Sequence, residues 1–166
     1  MRYLIFSIML YITMPAHAQQ TAGNNAALPD TTKFNSVCRV DSVVAWAVAD
    51  SGRIYRQTTA GWTRIAVDGI KDYKLNSVFA LKEQLEYVWI VGTNENNGQN
   101  KLLKTIDGRE KKQRWISIAL LPCPGSISKV EFTDRLQGYI YGEERLLMQS
   151  HDGGETWVRV PGGQKQ

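Results

Sequence analysis

The chain has 166 residues, with 20 basic and 16 acidic side chains and a formal net charge of +4. An excess this small, mixed along the sequence, does not single out nucleic acid or an acidic polymer as a partner. Two histidines and two cysteines in all give no metal-ligand spacing, and no cofactor is expected.

The first segment reads as an export signal. Met1-Arg2-Tyr3 is a short basic start, Leu4 to Met14 is almost wholly apolar, and Pro15-Ala16-His17-Ala18 gives a small-residue cleavage site before Gln19. The apolar run falls short of the roughly 20 residues of a spanning helix, and no anchor is expected after cleavage. Removing residues 1–18 takes away Arg2 and lowers the net charge to +3. The expected place is the periplasm or the medium, where nucleic acid is not an expected partner. Residues 19–32 are poor in large apolar side chains and read as a flexible leader. Residues 33–166 are expected to form one repeat domain, with units at about 33–70, 71–121 and 126–161.

From residue 33 on, short Val/Ile/Tyr/Trp-rich runs are broken by Gly, Asn and Asp, the pattern of an all-β chain. They recur in a fixed order. First strands are expected at 34–40, 75–81 and 127–132, and second strands at 45–49, 88–92 and 139–142. Third strands follow at 53–56, 101–104 and 145–148, and fourth strands open with Trp62, Trp115 and Trp157. Those tryptophans lie 53 and 42 residues apart, close to the period of four-stranded propeller blades. The reading is three blades whose apolar faces are buried by stacking, with a β-sandwich as the alternative. Trp46, Trp89 and Tyr139 belong in the layers between blades.

Cys38 and Cys123 form an even pair, which in an oxidising compartment is expected to be a disulfide. In the chain-entropy model such a loop contributes about 4–5 kcal/mol.

Ser150-His-Asp152-Gly-Gly154-Glu-Thr-Trp157 carries Ser/Thr-x-Asp-x-Gly-x-x-Trp at every defined position. Ser150 and Asp152 can accept backbone N–H bonds in a tight turn, a glycine supplies positive φ, and Trp157 plugs the turn. Thr105-Ile-Asp107-Gly108 is a partial copy that reaches Trp115 three residues late, and Thr58 to Trp62 is a shortened one without the Asp. Ser150, His151 and Asp152 resemble a triad on paper, but adjacent residues do not converge on one reacting atom, so no catalytic residue is assigned. The inserted Arg109, Lys111, Lys112 and Arg114, with Lys101 and Lys104 nearby, read as a basic hairpin tip able to dock on a protein partner. The polar loop from Thr93 to Asn100 is a second candidate for binding.

The third unit, with Gly138-Tyr-Ile-Tyr-Gly142 ahead of its turn, resembles the Asp-box repeat in the version found in photosystem II assembly-factor-like propellers. The second unit fits partly and the first weakly. The resemblance implies a propeller, no catalysis and a protein partner, here one in the cell envelope. It also implies rings of six or seven blades. Three blades therefore call either for two chains meeting as half-rings or for an open or compact variant. An immunity or inhibitor protein acting on a secreted toxin or hydrolase is the alternative function, and a glycan-binding protein a third.

Overall fold

A computed structural model describes residues 32–83, 85–110, 112–120, 123 and 125–161. The expected signal segment and nearly all of the leader lie outside the described residues, as does Lys111. Twelve strands are present: β1 Ser36–Arg39, β2 Ala45–Ala49, β3 Arg53–Thr58, β4 Gly61–Ile65, β5 Tyr73–Lys82, β6 Glu86–Asn94, β7 Asn100–Thr105, β8 Ile116–Ala119, β9 Ile127–Phe132, β10 Gly138–Gly142, β11 Leu147–Ser150 and β12 Val158–Arg159. They form three four-stranded antiparallel sheets, β1 to β4, β5 to β8 and β9 to β12, each ordered as in the chain. These are three propeller-type blades. The expected third strand at 145–148 begins two residues late. Glu144 and Arg145 take positive φ (50° and 59°) in a turn closed by Leu146 N–H donating to the Glu143 carbonyl.

Two apolar layers hold the blades in a row, because each middle strand alternates its side chains between two neighbours. Trp46, Val48 and Ile54 face Val88, Ile90 and Leu103 between the first and second blades. Trp89, Val91 and Leu102 face Ile140, Met148 and Phe132 between the second and third. Trp89 stacks on Phe132 with ring centroids 3.8 Å apart. A side chain at Gly138 would come within 2.5 Å of the Phe132 ring, so glycine there keeps the stack.

A repeated polar clasp accompanies each layer. At the start of the first strand, the Asn35 side-chain amide donates to the Leu75 carbonyl (2.9 Å), and Ser36 Oγ accepts from Val78 N–H (3.3 Å). One blade on, Asn76 donates to the Ile127 carbonyl (2.6 Å), and Ser77 Oγ accepts from Val130 N–H (3.2 Å). The pair satisfies two backbone groups on the edge of the next blade, which would otherwise be buried without a partner.

A second lock sits at the other end of the blades. Trp46 Nε1 donates to Glu86 Oε1 (2.7 Å), and Arg56 makes two 3.1 Å bonds to the same carboxylate. Glu86 is 2 % exposed. At the next junction Trp89 Nε1 donates to the Gly153 carbonyl (2.9 Å), and Lys104 pairs with Glu155 (2.6 Å). Register makes these equivalent, since Trp46 lies opposite Arg56 and Trp89 opposite Lys104.

The expected Cys38–Cys123 disulfide is not formed, and both residues are free thiols. They lie on opposite sides of the second blade. Cys38 packs into the first layer, where its sulfur accepts from Ala80 N–H (3.3 Å), while Cys123 borders the second layer beside Asn100. Burial pushes the Cys38 thiol up, which favours its uncharged form.

Two measurements follow. Thiol titration of unreduced, unfolded protein should find two reactive groups per chain, whereas a disulfide would leave none. Glu86→Ala strands Arg56 and the Trp46 indole in the first junction and should lower unfolding free energy by about 3–5 kcal/mol. A urea midpoint within error of wild type would remove Glu86 from the list of structural supports.

Candidate functional site

The Asp-box turn builds itself from local hydrogen bonds. Ser150 Oγ accepts from Gly154 N–H (2.8 Å) and donates to Asp152 Oδ1 (2.8 Å). Asp152 in turn accepts from the N–H (3.0 Å) and hydroxyl (2.6 Å) of Thr156. Gly153 and Gly154 adopt φ of 74° and 90°, and Trp157 Nε1 closes the turn on the Gly154 carbonyl (3.1 Å). The hydrogen bonds from Thr156, the hydroxyl first, lower the Asp152 carboxyl to about 2. His151 does not engage Ser150; its ring meets Gln137 instead. With Ser150 and Asp152 spent on the turn, the run is a clasp with no nucleophile–base pair.

The second turn is the same device with a longer rim. Thr105 Oγ1 donates to Asp107, and the residue before Trp115 replaces Thr156: Arg114 gives Asp107 its N–H (3.0 Å) and its Nε (3.2 Å). Burial opposes ionisation of Asp107, but the bonds from Thr105 and Arg114 together outweigh it and lower its pKa. Trp115 packs edge-on against Trp46 at 6.0 Å.

Among the described residues the expected basic hairpin tip is not assembled as one cluster. Lys101 and Lys104 are three residues apart on β7, so they leave opposite faces of the sheet. Lys101 lies over the Tyr73 ring at 4.5 Å, and Lys104 is 7 % exposed and paired with Glu155. Arg109 Nη2 bonds back to the Glu83 carbonyl (3.0 Å), and Arg114 is held by Asp107. Lys112 is exposed at a separate cleft of about 580 Å³ beside β4. Spacing in the sequence brought these charges together; strand alternation parts Lys101 from Lys104, and contacts within the β7–β8 loop and to Glu83 direct Arg114 and Arg109.

The opposite end of the blades carries the broader concavity. A groove of about 690 Å³ runs across the starts of all three first strands. Lys33 comes from the first blade, Lys74, Asn94 and Glu95 from the second, and Ser128 and Glu143 from the third. The Asn76 clasp forms its floor, and Glu143 Oε2 fixes its rim by accepting from Ser126 N–H (3.0 Å). Asn94 Oδ1 accepts from the N–H groups of Asn96 (2.8 Å) and Asn97 (3.2 Å), which folds the loop back on itself. That loop, 93–100, was legible as a binding candidate. Lys33, Lys74, Ser128 and Glu143 were not singled out, although aligning the three first strands places them at one end.

Among the described residues no group of three or more His, Cys, Asp and Glu could hold a metal ion, and no helix is long and apolar enough to cross a membrane.

The three four-stranded sheets and their packing define a β-propeller-type stack of blades. No protein-family model and no curated protein sequence matches the chain. Among solved structures it is similar in fold to "YCF48 bound to D1 peptide", with a TM-score of 0.64 and 24 % identity over 80 % of this chain and 42 % of that one. It is also similar to YCF48 from Cyanidioschyzon merolae, with a TM-score of 0.58 and 18 % identity over 75 % of this chain and 38 % of that one. The chain thus spans less than half the length of the YCF48 chains it matches. The propeller fold implied by the repeat resemblance is the fold observed.

The turn has a pH signature. Because the folded Asp152 carboxyl lies at about 2, below the roughly 3.9 of an unfolded Asp, its contribution is complete above that value and disappears as pH falls towards 2. Asp152→Asn should therefore flatten the fall of stability between about pH 4 and pH 2. Parallel stability curves for the two proteins in that window would show that the Asp152 carboxylate contributes nothing.

Proposed function

We propose that this protein is a non-catalytic binding module that holds an extended segment of a protein partner in the groove across its three first strands. The observation that carries this reading is the groove itself, an opening of about 690 Å³ built by all three blades. Backbone at strand ends and side chains of both charge signs, Lys33 and Lys74 with Glu95 and Glu143, line it. Such a surface offers hydrogen bonds and charge to a polar main chain and little apolar depth to a small molecule. The fold similarity to YCF48, which has been solved with a D1 peptide bound, supports the same reading. The signal-like residues 1–18 support export, and we place the module and its partner in the cell envelope.

A photo-crosslinking amino acid at Lys74 or Ser128 should capture a partner protein in cell-envelope extracts, with the adduct mapping to a single extended peptide. The same probe at Lys112, at the opposite end of the blades, should capture none. Lys74→Glu combined with Glu95→Lys should reduce capture at Ser128 about tenfold or more, a loss of at least about 1.4 kcal/mol, at unchanged melting temperature. Equal capture from Lys112 and from the groove positions would overturn the assignment. N-terminal sequencing of the exported protein should begin at Gln19.

A further inference from the structure

The locks between blades occupy fixed positions, so the third blade can be read for what it offers to a fourth. In the first blade one cross-strand row is Cys38, Trp46 and Arg56, and in the second it is Phe79, Trp89 and Lys104. The same row in the third blade is Glu131, Tyr139 and Gln149. Indole and cation, which reach the next blade at both existing junctions, have become a phenol and a neutral amide. These two bond to each other, Gln149 Nε2 donating to Tyr139 Oη (3.3 Å).

The clasp at the strand start has gone as well. Asn35-Ser36 and Asn76-Ser77 correspond to Ser128-Lys129. Lysine has no acceptor for the backbone N–H that Ser36 and Ser77 receive. Lys129 pairs with Glu131 on its own strand, and Ser128 Oγ bonds the Tyr141 carbonyl within the blade. Where Val48 and Val91 are fully buried, the matching Tyr141 remains partly exposed.

The other end of the row agrees. The carboxylates that receive Arg56 and Lys104 are Glu86 and Glu155, contributed by the second and third blades. In the first blade the turn that matches Glu155, Thr58-Thr59-Ala60-Gly61, has no carboxylate, and the β1–β2 loop that matches the Glu86 hairpin carries Asp41, which pairs with Lys82.

We infer that the third blade terminates the stack, and that the chain works as a single three-blade unit without recruiting a second copy of itself to complete a ring. Repeat arrays end in units with a polar outer face because an apolar one would be left without a neighbour. Here the polar face is made by changing the very side chains that join blades elsewhere. The half-ring dimer allowed by the blade count would bring Tyr139 and Gln149 where the existing junctions present an indole and a cation, and Lys129 where they present the Ser36 and Ser77 hydroxyls. This holds whether or not a peptide occupies the groove.

Sedimentation equilibrium of the exported chain, from about 1 µM to about 300 µM, should return the mass of one chain throughout. A mass of two chains at any of these concentrations overturns the inference. A second variant set tests the residues themselves in the existing junction. Phe79→Glu, Trp89→Tyr and Lys104→Gln together give the second blade the cross-strand row of the third. Hydrogen exchange should then show loss of protection in β9 to β11 by at least about tenfold more than in β2 and β3. Undiminished protection of β9 to β11 would mean that these side chains do not decide where the stack ends.

Discussion

The structure depends on one contact used twice. A tryptophan on the second strand of one blade sends its indole N–H into the box end of the next, while the residue opposite it on the third strand sends a cation to a carboxylate there. The indole body fills the apolar layer and its N–H is satisfied across the junction, so burial and polar satisfaction come from the same side chain. Each blade alone would expose both faces, and it is the junction that makes a sheet of short strands stable. The Asp box belongs to this junction. Its turn holds the Gly153 carbonyl where Trp89 needs an acceptor and places Glu155 beside Lys104. A motif that looks like the site is thereby the fixture against which the site is built.

The two ends of the blades have different work. At the box end, charges are consumed in pairs, with Arg56, Lys104 and Arg114 each held by a named carboxylate. At the other end, the strand starts of three blades meet around an open groove, and Lys33, Lys74 and Glu95 stand exposed on it. Rigid support at one end lets polar groups at the other keep their positions for a partner, which limits the ordering cost on binding.

Much of the fold was legible because a blade repeats its chemistry at each strand. All twelve strands fall within two residues of where the Val/Ile/Tyr/Trp runs put them, since alternation and turn residues act locally. β5 and β6 run longer than their apolar stretches, because hairpin pairing carries the ladder through Tyr73, Lys74 and Lys82 on one side and Glu86 on the other. Pairing of Cys38 with Cys123 was not legible, as it depends on which junction each residue enters, and they enter different ones. The basic hairpin misled for a similar reason. Neighbours in sequence on a strand point apart, and Lys104 is drawn to Glu155, 51 positions away.

By itself the sequence determined the all-β class, three blades, the place of each strand and the internal chemistry of the Asp-box turns. These rest on local periodicity and on hydrogen bonds spanning a few residues. Tertiary structure alone decided that the thiols stay apart, that the described cations of the hairpin are spent or scattered, and that the strand starts form a groove. It also decided which side of the third blade carries Glu131, Tyr139 and Gln149. Those outcomes depend on which faces meet across a junction, and a junction is made between blades some 50 residues apart along the chain, beyond the reach of any local pattern.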